Sequence, residues 1–229
     1  MVRIAVISDI HSNLEAFVAV LKDMPKVDMV LCAGDLVGYA ANPNEIVKLV
    51  RSKKIRAVMG NHDYASLTNN SIGFNSLAGR AIEWTHGHLT TESADFLSSL
   101  PLEIELKLDK WKILMIHGSP RDPLNEYLFP DISNDELANA TEDAASDIVI
   151  VGHTHVPMKR MILGKLVVNP GGVGQPRDRD PRASYAIIKL GKNVEVEHRR
   201  VEYDFKTTAK KIMKAGLPEE LGSRLFYGW

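Results

Sequence analysis

The chain has one cysteine, Cys32, so no intrachain disulfide can form, which fits a reducing compartment. Neither charge is in excess: 28 Lys and Arg stand against 29 Asp and Glu, a net of −1. Composition therefore implies no strongly basic nucleic-acid surface and no polybasic membrane anchor, although a local basic patch is allowed. No apolar run approaches the length of a membrane span. The start, Met1–Asp9, lacks the basic flank, apolar stretch and small-residue cleavage site of a secretory leader. Together these absences make a cytoplasmic location the expectation. What is present is the ordinary mix of a folded domain: 229 residues, 45% hydrophobic and 25% charged. That length can bury one sizeable core, and a single domain over 1–229 is expected.

Hydrophobic periodicity sets the architecture. Val2–Ile7, Met29–Ala33 and Ile55–Met59 read as short strands. Between them, Leu14, Phe17, Val18 and Leu21, then Ile46, Leu49 and Val50, follow helical spacing. This alternation predicts a sheet that is at least partly parallel. Helix starts are signalled by Ser12 with Glu15, Asn42-Pro43 with Glu45, and Ser133 with Glu136. Tyr64 to Pro101 reads as helices and loops. Further strands are expected at Ile104–Leu108, Lys112–Ile116, Ile148–Val151, Leu166–Val168, Tyr185–Leu190 and Val194–Val201. Hairpin turns are expected at Asp109-Lys110 and Gly191-Lys192-Asn193. The prediction is two sheets packed face to face and covered by helices. The tail from Phe205 to Trp229 reads as helical, and its apolar end should pack on its own core or a partner subunit.

Five of the apolar runs end in polar, metal-capable clusters: Asp9-Ile10-His11, Gly34-Asp35, Gly60-Asn61-His62-Asp63, His117-Gly118 and Gly152-His153-Thr154-His155. Ligands bind at the carboxyl ends of strands in open α/β sheets, so five such clusters can converge on one place. Asp9 and Asp35, with His11, His117, His153 and His155 and the Asn61 carboxamide, offer more donors than one ion takes. Two adjacent ions sharing a carboxylate would use them all. The lack of thiolates argues against structural zinc or iron–sulfur, and mixed imidazole and oxygen donors suit Mn, Fe, Zn, Co or Ni. Two divalent ions, two carboxylates and a bridging hydroxide leave about one positive charge, which attracts an anion. Such a pair can generate the hydroxide and clamp both oxygens of an in-line displacement at phosphorus. His62, beside Asn61, can protonate the leaving oxygen, with Asp63 orienting its ring.

These clusters, in this order from Asp9 to about Arg182, resemble the calcineurin-like metallophosphoesterase superfamily. The resemblance implies an α/β fold, a four-layer α/β/β/α sandwich of two packed mixed sheets flanked by helices. It implies two divalent metal ions, with Mn²⁺ favoured and Fe, Zn, Ni or Co as alternatives. It places Asp9, His11 and His155 on one ion and Asn61, His117 and His153 on the other, with Asp35 bridging. His62 would be the general acid, with Asp63 behind it. The stretches Gly34–Glu45 and Asn169–Asp178 are similar to the small bacterial and archaeal phosphodiesterases and to the branch named for diadenosine tetraphosphate hydrolysis. In the protein phosphatases of this superfamily the second cluster continues to a phosphate-clamping Arg. Here it reads Asp35-Leu36-Val37-Gly38-Tyr39, which argues against that activity.

The expected reaction is metal-dependent phosphoester hydrolysis, with diesters favoured because a monoanion closes the net charge of the site. Phosphomonoesters or dinucleoside polyphosphates on the same site are the alternatives, as is a non-catalytic scaffold of the retromer-subunit kind. The expected partner is a small phosphorylated substrate. Nucleic acid enters only as short or cyclic nucleotides, no membrane is involved, and self-association is left open. Arg177, Arg179 and Arg182 lie in one Gly- and Pro-rich loop, and Arg177 is the candidate substrate contact. His86, His88 and His198 read as structural, and Cys32 as a small buried hydrophobe.

Overall fold

A computed structural model describes all 229 residues. The first half alternates strand and helix: β1 (Val2–Ile7), α1 (Leu14–Asp23), β2 (Met29–Cys32), α2 (Pro43–Ser52) and β3 (Arg56–Ala57). Three helices follow, α3 (Asn61–Thr68), α4 (Ser76–His88) and α5 (Thr91–Ser98). Next come β4 (Glu103–Leu108), β5 (Trp111–Ile116), α6 (Asn134–Thr141), β6 (Ile148–Ile150), β7 (Met158–Ile162) and β8 (Lys165–Asn169). The chain ends in the hairpin β9 (Ala183–Leu190) and β10 (Val194–Val201), then α7 (Phe205–Lys214), α8 (Glu219–Ser223) and a 3-10 turn, Arg224–Phe226. No helix is long and apolar enough to cross a membrane.

The strands form two mixed five-stranded sheets, ordered β10-β9-β1-β2-β3 and β4-β5-β6-β8-β7. Alternation along β1 shows how the layers arise. Ile4 and Val6 face the second sheet and pack in one cluster with Ile113, Met115, Ile148 and Ile150. Ala5 and Ile7 face the other way, onto Phe17 and Val20 of α1 and Ile46 and Val50 of α2. On the far face of the second sheet, Leu114, Val149 and Val167 pack on Leu137 and Ala140 of α6. The result is helix, sheet, sheet, helix, as expected. Strands β1, β2 and β3 run parallel, as do β5, β6 and β8. Every polar cluster thus follows the carboxyl end of a strand, Gly60–Asp63 after two intervening residues and the others after one or none.

Local differences from the sequence pattern have physical causes. The third strand is shorter than Ile55–Met59 because the chain leaves the ladder after Ala57. Met59 N–H turns to the carbonyl of Pro101 (2.8 Å), which aims Gly60 and Asn61 at the site. The cap of α1 is Asn13 rather than Ser12: its Oδ1 accepts from Ala16 N–H, while Ser12 sits at φ +56°. Asn42 caps α2 by position but donates its amide to Glu45 instead of binding backbone. The Ser133–Glu136 box forms as expected. Strand β7 was not foreseen. It is an outer strand of alternating burial whose Lys159 and Arg160 mask its periodicity. The tail is helical and packs on its own chain, with Ile212, Leu217, Leu221 and Leu225 against Tyr39, Ala78 and Ala81.

Candidate metal centre

Backbone bonds draw the clusters together before any side chain meets. Asp9 N–H donates to Gly34 O (3.0 Å), His11 N–H to Asp35 O (3.0 Å) and Gly152 N–H to His117 O (2.8 Å). Close approach demands glycine at position 60, where a Cβ would lie 2.1 Å from Asp35 Oδ1 and 2.3 Å from Asp35 N. The site also holds backbone strain. Asp9, His11, Asp35, His153 and His155 all sit at positive φ, at 55°, 48°, 54°, 66° and 60°. Non-glycine residues enter this region at a cost and do so most often at functional sites.

Two overlapping groups of donors result. Asp9, His11, Asp35 and His155 form one, and Asp35, His117 and His153 the other, each with its donor atoms within 4.8 Å of one another. His155 Nε2 lies 3.3 Å from Asp9 Oδ1, and His11 Nε2 lies 3.1 Å from His155 Nε2. His117 Nε2 is 3.1 Å from both Asn61 Oδ1 and His153 Nδ1. Asp35 Oδ2 stands between the groups, 3.5 Å from His11 Nε2 and 3.4 Å from His117 Nε2. The seven candidate donor residues therefore lie together, in two groups that share Asp35.

The protons show what this cluster lacks. Each histidine has its other nitrogen on a backbone carbonyl: His11 Nδ1 on Val37 (3.0 Å), His117 Nδ1 on Ala33 (2.7 Å), His155 Nδ1 on Gln175 (2.5 Å) and His153 Nε2 on Asn125 (3.2 Å). A carbonyl only accepts, so those nitrogens donate, and the inward nitrogens of His11, His153 and His155, which burial favours as neutral rings, present lone pairs. Both oxygens of Asp9 and Oδ2 of Asp35 are buried without any partner. Lone pairs and carboxylate oxygens facing one another in a dry interior repel unless a cation lies among them. The donor set thus fits divalent metal ions, and the carbonyl partners fix the rings as second-layer supports do in metal sites.

Electrostatics agree. Burial pushes the Asp9 carboxyl up to about 7. Burial alone would raise Asp35 too, but His117 and its neighbours hold it well below the usual range. His117 is raised to about 9 because Asp35 overrides its burial. Burial lowers His153 to about 3 and takes His11 and His155 well below their ordinary value.

His62 lies at the start of α3, its N–H on Asp35 Oδ1 (2.9 Å). Its ring packs against Tyr39 (4.5 Å) and Phe74 (5.0 Å) and lines a cavity of about 630 Å³ over the donors. Burial lowers its pKa to about 4, and its Nδ1 is buried without a partner. The expected contact from Asp63 is not made, which corrects the orienting role read from the sequence. Asp63 Oδ1 accepts from Val37 N–H and Oδ2 from Gly60 N–H, both at 3.0 Å. As the third residue of α3, Asp63 has its carboxylate turned back onto the helix start, so it ties two ligand loops together instead.

Arg177 reaches the cavity, held by Tyr39 Oη (3.2 Å) and Gln175 Oε1 (3.1 Å). Arg182 is paired with Asp180. His86 and His88 on α4 bind the carbonyls of Ser66 (2.8 Å) and Trp84 (2.7 Å), and His198 binds that of Asn169 (2.8 Å), all outside the cluster. Sequence reasoning missed Phe74, Tyr127 and Arg224 in the cavity wall. Tyr127 stacks on His153, with ring centroids 3.7 Å apart. None of the three carries a sequence signal, since each lies in a connection or the tail, far from any cluster.

Comparison with known proteins agrees with this geometry. Residues 2–193 match the model of the calcineurin-like phosphoesterase superfamily domain. An uncharacterized protein of Methanocaldococcus jannaschii is 43% identical over 244 aligned positions, covering 98% of each chain. The crystal structure of a metallophosphoesterase from Sphaerobacter thermophilus superposes with a TM-score of 0.87 at 38% identity, over 100% of this chain and 99% of that one. A hypothetical protein from Pyrococcus horikoshii shares the fold, with a TM-score of 0.91 at 22% identity and the same coverage. The chain belongs to the calcineurin-like phosphoesterase superfamily.

Proposed function

We propose that the protein hydrolyses phosphoesters, diesters by preference, with Asp9, His11 and His155 holding one divalent ion, Asn61, His117 and His153 a second, and Asp35 shared between them. The observation that carries this reading is the buried, unpartnered oxygen of Asp35 standing 3.5 and 3.4 Å from two inward-facing histidine nitrogens. Ions held by these residues would supply Lewis-acid charge and activate water at neutral pH, so no side-chain nucleophile would be needed. Mixed nitrogen and oxygen donors without thiolate suit Mn²⁺, Fe, Zn, Ni or Co alike, and the family resemblance favours Mn²⁺ among them.

The chain's own residues do the rest. His62 faces the cavity and delivers a proton to the leaving oxygen. Burial disfavours its charged form. An arriving phosphate anion offsets that burial and favours the imidazolium the acid role needs. Asp63 keeps His62 in place indirectly, by fastening Val37 and Gly60. Arg177 contacts a substrate oxygen, and Tyr39 and Gln175 hold its fork in position. With two divalent ions and a hydroxide the ligand set would carry a net charge of about +1, which a diester monoanion would close.

The test is hydrolysis of bis-p-nitrophenyl phosphate by Mn²⁺-reconstituted protein. Asp35→Ala should abolish both metal retention and turnover. His62→Ala should retain metal but slow a substrate with a poor leaving group by about 10²–10⁴-fold. Undiminished turnover of that substrate by His62→Ala would refute the acid assignment.

A further inference from the structure

Of the candidate donors, Asn61 and His153 line the cavity together with His62, so it opens on that half of the centre. His62, Arg177 and the donors account for a phosphate, but they leave part of the wall unexplained. Ile72, Phe74 and Tyr127 line the same cavity. Ile72 is 88% exposed, Tyr127 is 45% exposed and Phe74 is half-buried. An apolar wall gains nothing from a phosphate, whereas covering it with an apolar part of a ligand is favourable. The volume of about 630 Å³ leaves room for a substituent the size of a nucleoside beside the phosphate.

Both parts of this wall are fixed to the reacting end of the cavity. Phe74 meets the His62 ring edge-on, with centroids 5.0 Å apart. Its segment is set by Ile72 N–H on Asn70 Oδ1 (3.1 Å) and by Asn75 Oδ1, which accepts from Ala78 N–H (3.0 Å) to cap α4. Tyr127 stacks on His153 at 3.7 Å, and His153 Nε2 donates to Asn125 O at 3.2 Å. The Asn125 backbone N–H and side-chain amide both donate to Asp122 Oδ1, at 3.0 and 3.2 Å. Asn75 and Asn125 also line the cavity. Their bonds leave the Asn75 amide hydrogens and Asn125 Oδ1 unused, so the wall offers free donors and a free acceptor beside two rings. It is ordered before a ligand arrives, which lowers the cost of binding one.

We propose that Ile72, Phe74 and Tyr127, with the amides of Asn75 and Asn125, form a leaving-group subsite for a planar heteroaromatic ring, so that the diester this site prefers expels a nucleoside beside His62. This rests on the phosphoesterase reading above and narrows it. The leaving oxygen must lie within reach of His62, and Phe74 is the wall next to that ring. A base has flat faces for the apolar side chains and donors and acceptors on its edge for the two amides, whereas an alkyl chain has no such edge. In the reaction the P–O bond to the nucleoside breaks and a P–O bond to the oxygen of water forms. His62 gives its proton to the departing oxygen, and the attacking water replaces that proton.

The experiment compares the methyl esters of adenosine 5′-phosphate and ribose 5-phosphate on the Mn²⁺-loaded protein. The base should raise kcat/KM at least about tenfold, mainly through KM. Methanol and adenosine are similarly poor leaving groups, so the bond that breaks reports the placement. Adenosine and methyl phosphate are the expected products, and adenosine 5′-phosphate with methanol would overturn the proposal. Octyl methyl phosphate should be cleaved less efficiently than the adenosine ester, and the reverse order would overturn it too. Tyr127→Ala should cut the ratio of the adenosine to the ribose ester about fivefold or more, and Ile72→Ser, at an exposed position, at least about twofold. Any general weakening of the centre through His153 cancels in that ratio. A wild-type ratio near one, or a ratio unchanged in both variants, overturns the subsite. Calorimetry gives a readout free of catalysis: the metal-free protein should bind the adenosine ester about tenfold more tightly than the ribose ester. Equal affinity, or no binding of either, overturns the subsite. If neither ester is cleaved with Mn²⁺, Fe, Zn, Ni or Co, the phosphoesterase reading fails, and calorimetry still decides whether the wall receives a base.

Discussion

Asp35 Oδ2 and His117 Nε2 stand 3.4 Å apart with both side chains buried. In the metal-free protein this contact keeps His117 protonated, its pKa raised to about 9, and burial keeps Asp9 partly protonated near 7. A metal ion must displace those protons, whereas His11, His153 and His155 are already neutral and have none to give. The sign follows. Metal affinity should rise with pH from 6 through about 9, and binding at neutral pH should release protons. Calorimetry in two buffers of different ionisation enthalpy measures this directly, and binding without proton release would contradict the Asp35–His117 pairing. The candidate donors were legible in the sequence because each is a polar residue just past a buried apolar run. The role of Asp63 was not, because adjacency to His62 says nothing about where a carboxylate turns. At the first turn of α3 the free backbone N–H of Gly60 competes for it and wins.

At the scale of elements, one asparagine joins the beginning of the chain to its end. Asn13 caps α1 through Ala16 N–H, donates its amide to Gly174 O (2.8 Å) and accepts from Thr208 on α7 (2.9 Å). Beside it Lys211 reaches Glu15 at 2.5 Å. These contacts seat the tail against the loop that carries Asp9 and His11. Removing the Asn13 side chain takes a cap and strands two buried partners, so Asn13→Ala should cost about 2–4 kcal/mol. Leu221→Ala, at a fully buried tail position, should cost about 2–5 kcal/mol. Urea denaturation of each variant measures the loss, and a change below about 0.5 kcal/mol in either would mean the tail is not part of the cooperative unit. The alternating strands and helices of the first half were legible because their apolar spacing is undisturbed by charge. Strand β7 was hidden by its adjacent Lys159 and Arg160, which put a charge on each face, and the entry of Arg224 into the cavity was hidden because only long-range packing brings the tail there.

Over the whole molecule, two sheets meet with their parallel strands aimed at one edge, and that edge collects strained backbone and unpartnered buried acceptors. The metal-free fold therefore bears a cost that bound cations relieve. At a concentration 100-fold above the dissociation constant, one ion adds about 2.7 kcal/mol of stability. For a chain of this length that corresponds to a rise in Tm of roughly 5–10 °C. Mn²⁺ should raise the melting temperature of chelator-treated protein, EDTA should reverse the rise, and Asp35→Ala should show none. The most direct measurement is diffraction from Mn²⁺-reconstituted crystals at the manganese absorption edge. Two anomalous peaks about 3.5–4 Å apart on either side of the Asp35 carboxylate are predicted, one against Asp9, His11 and His155, the other against Asn61, His117 and His153. A single peak, or none between these side chains at saturating metal, would contradict the proposed centre.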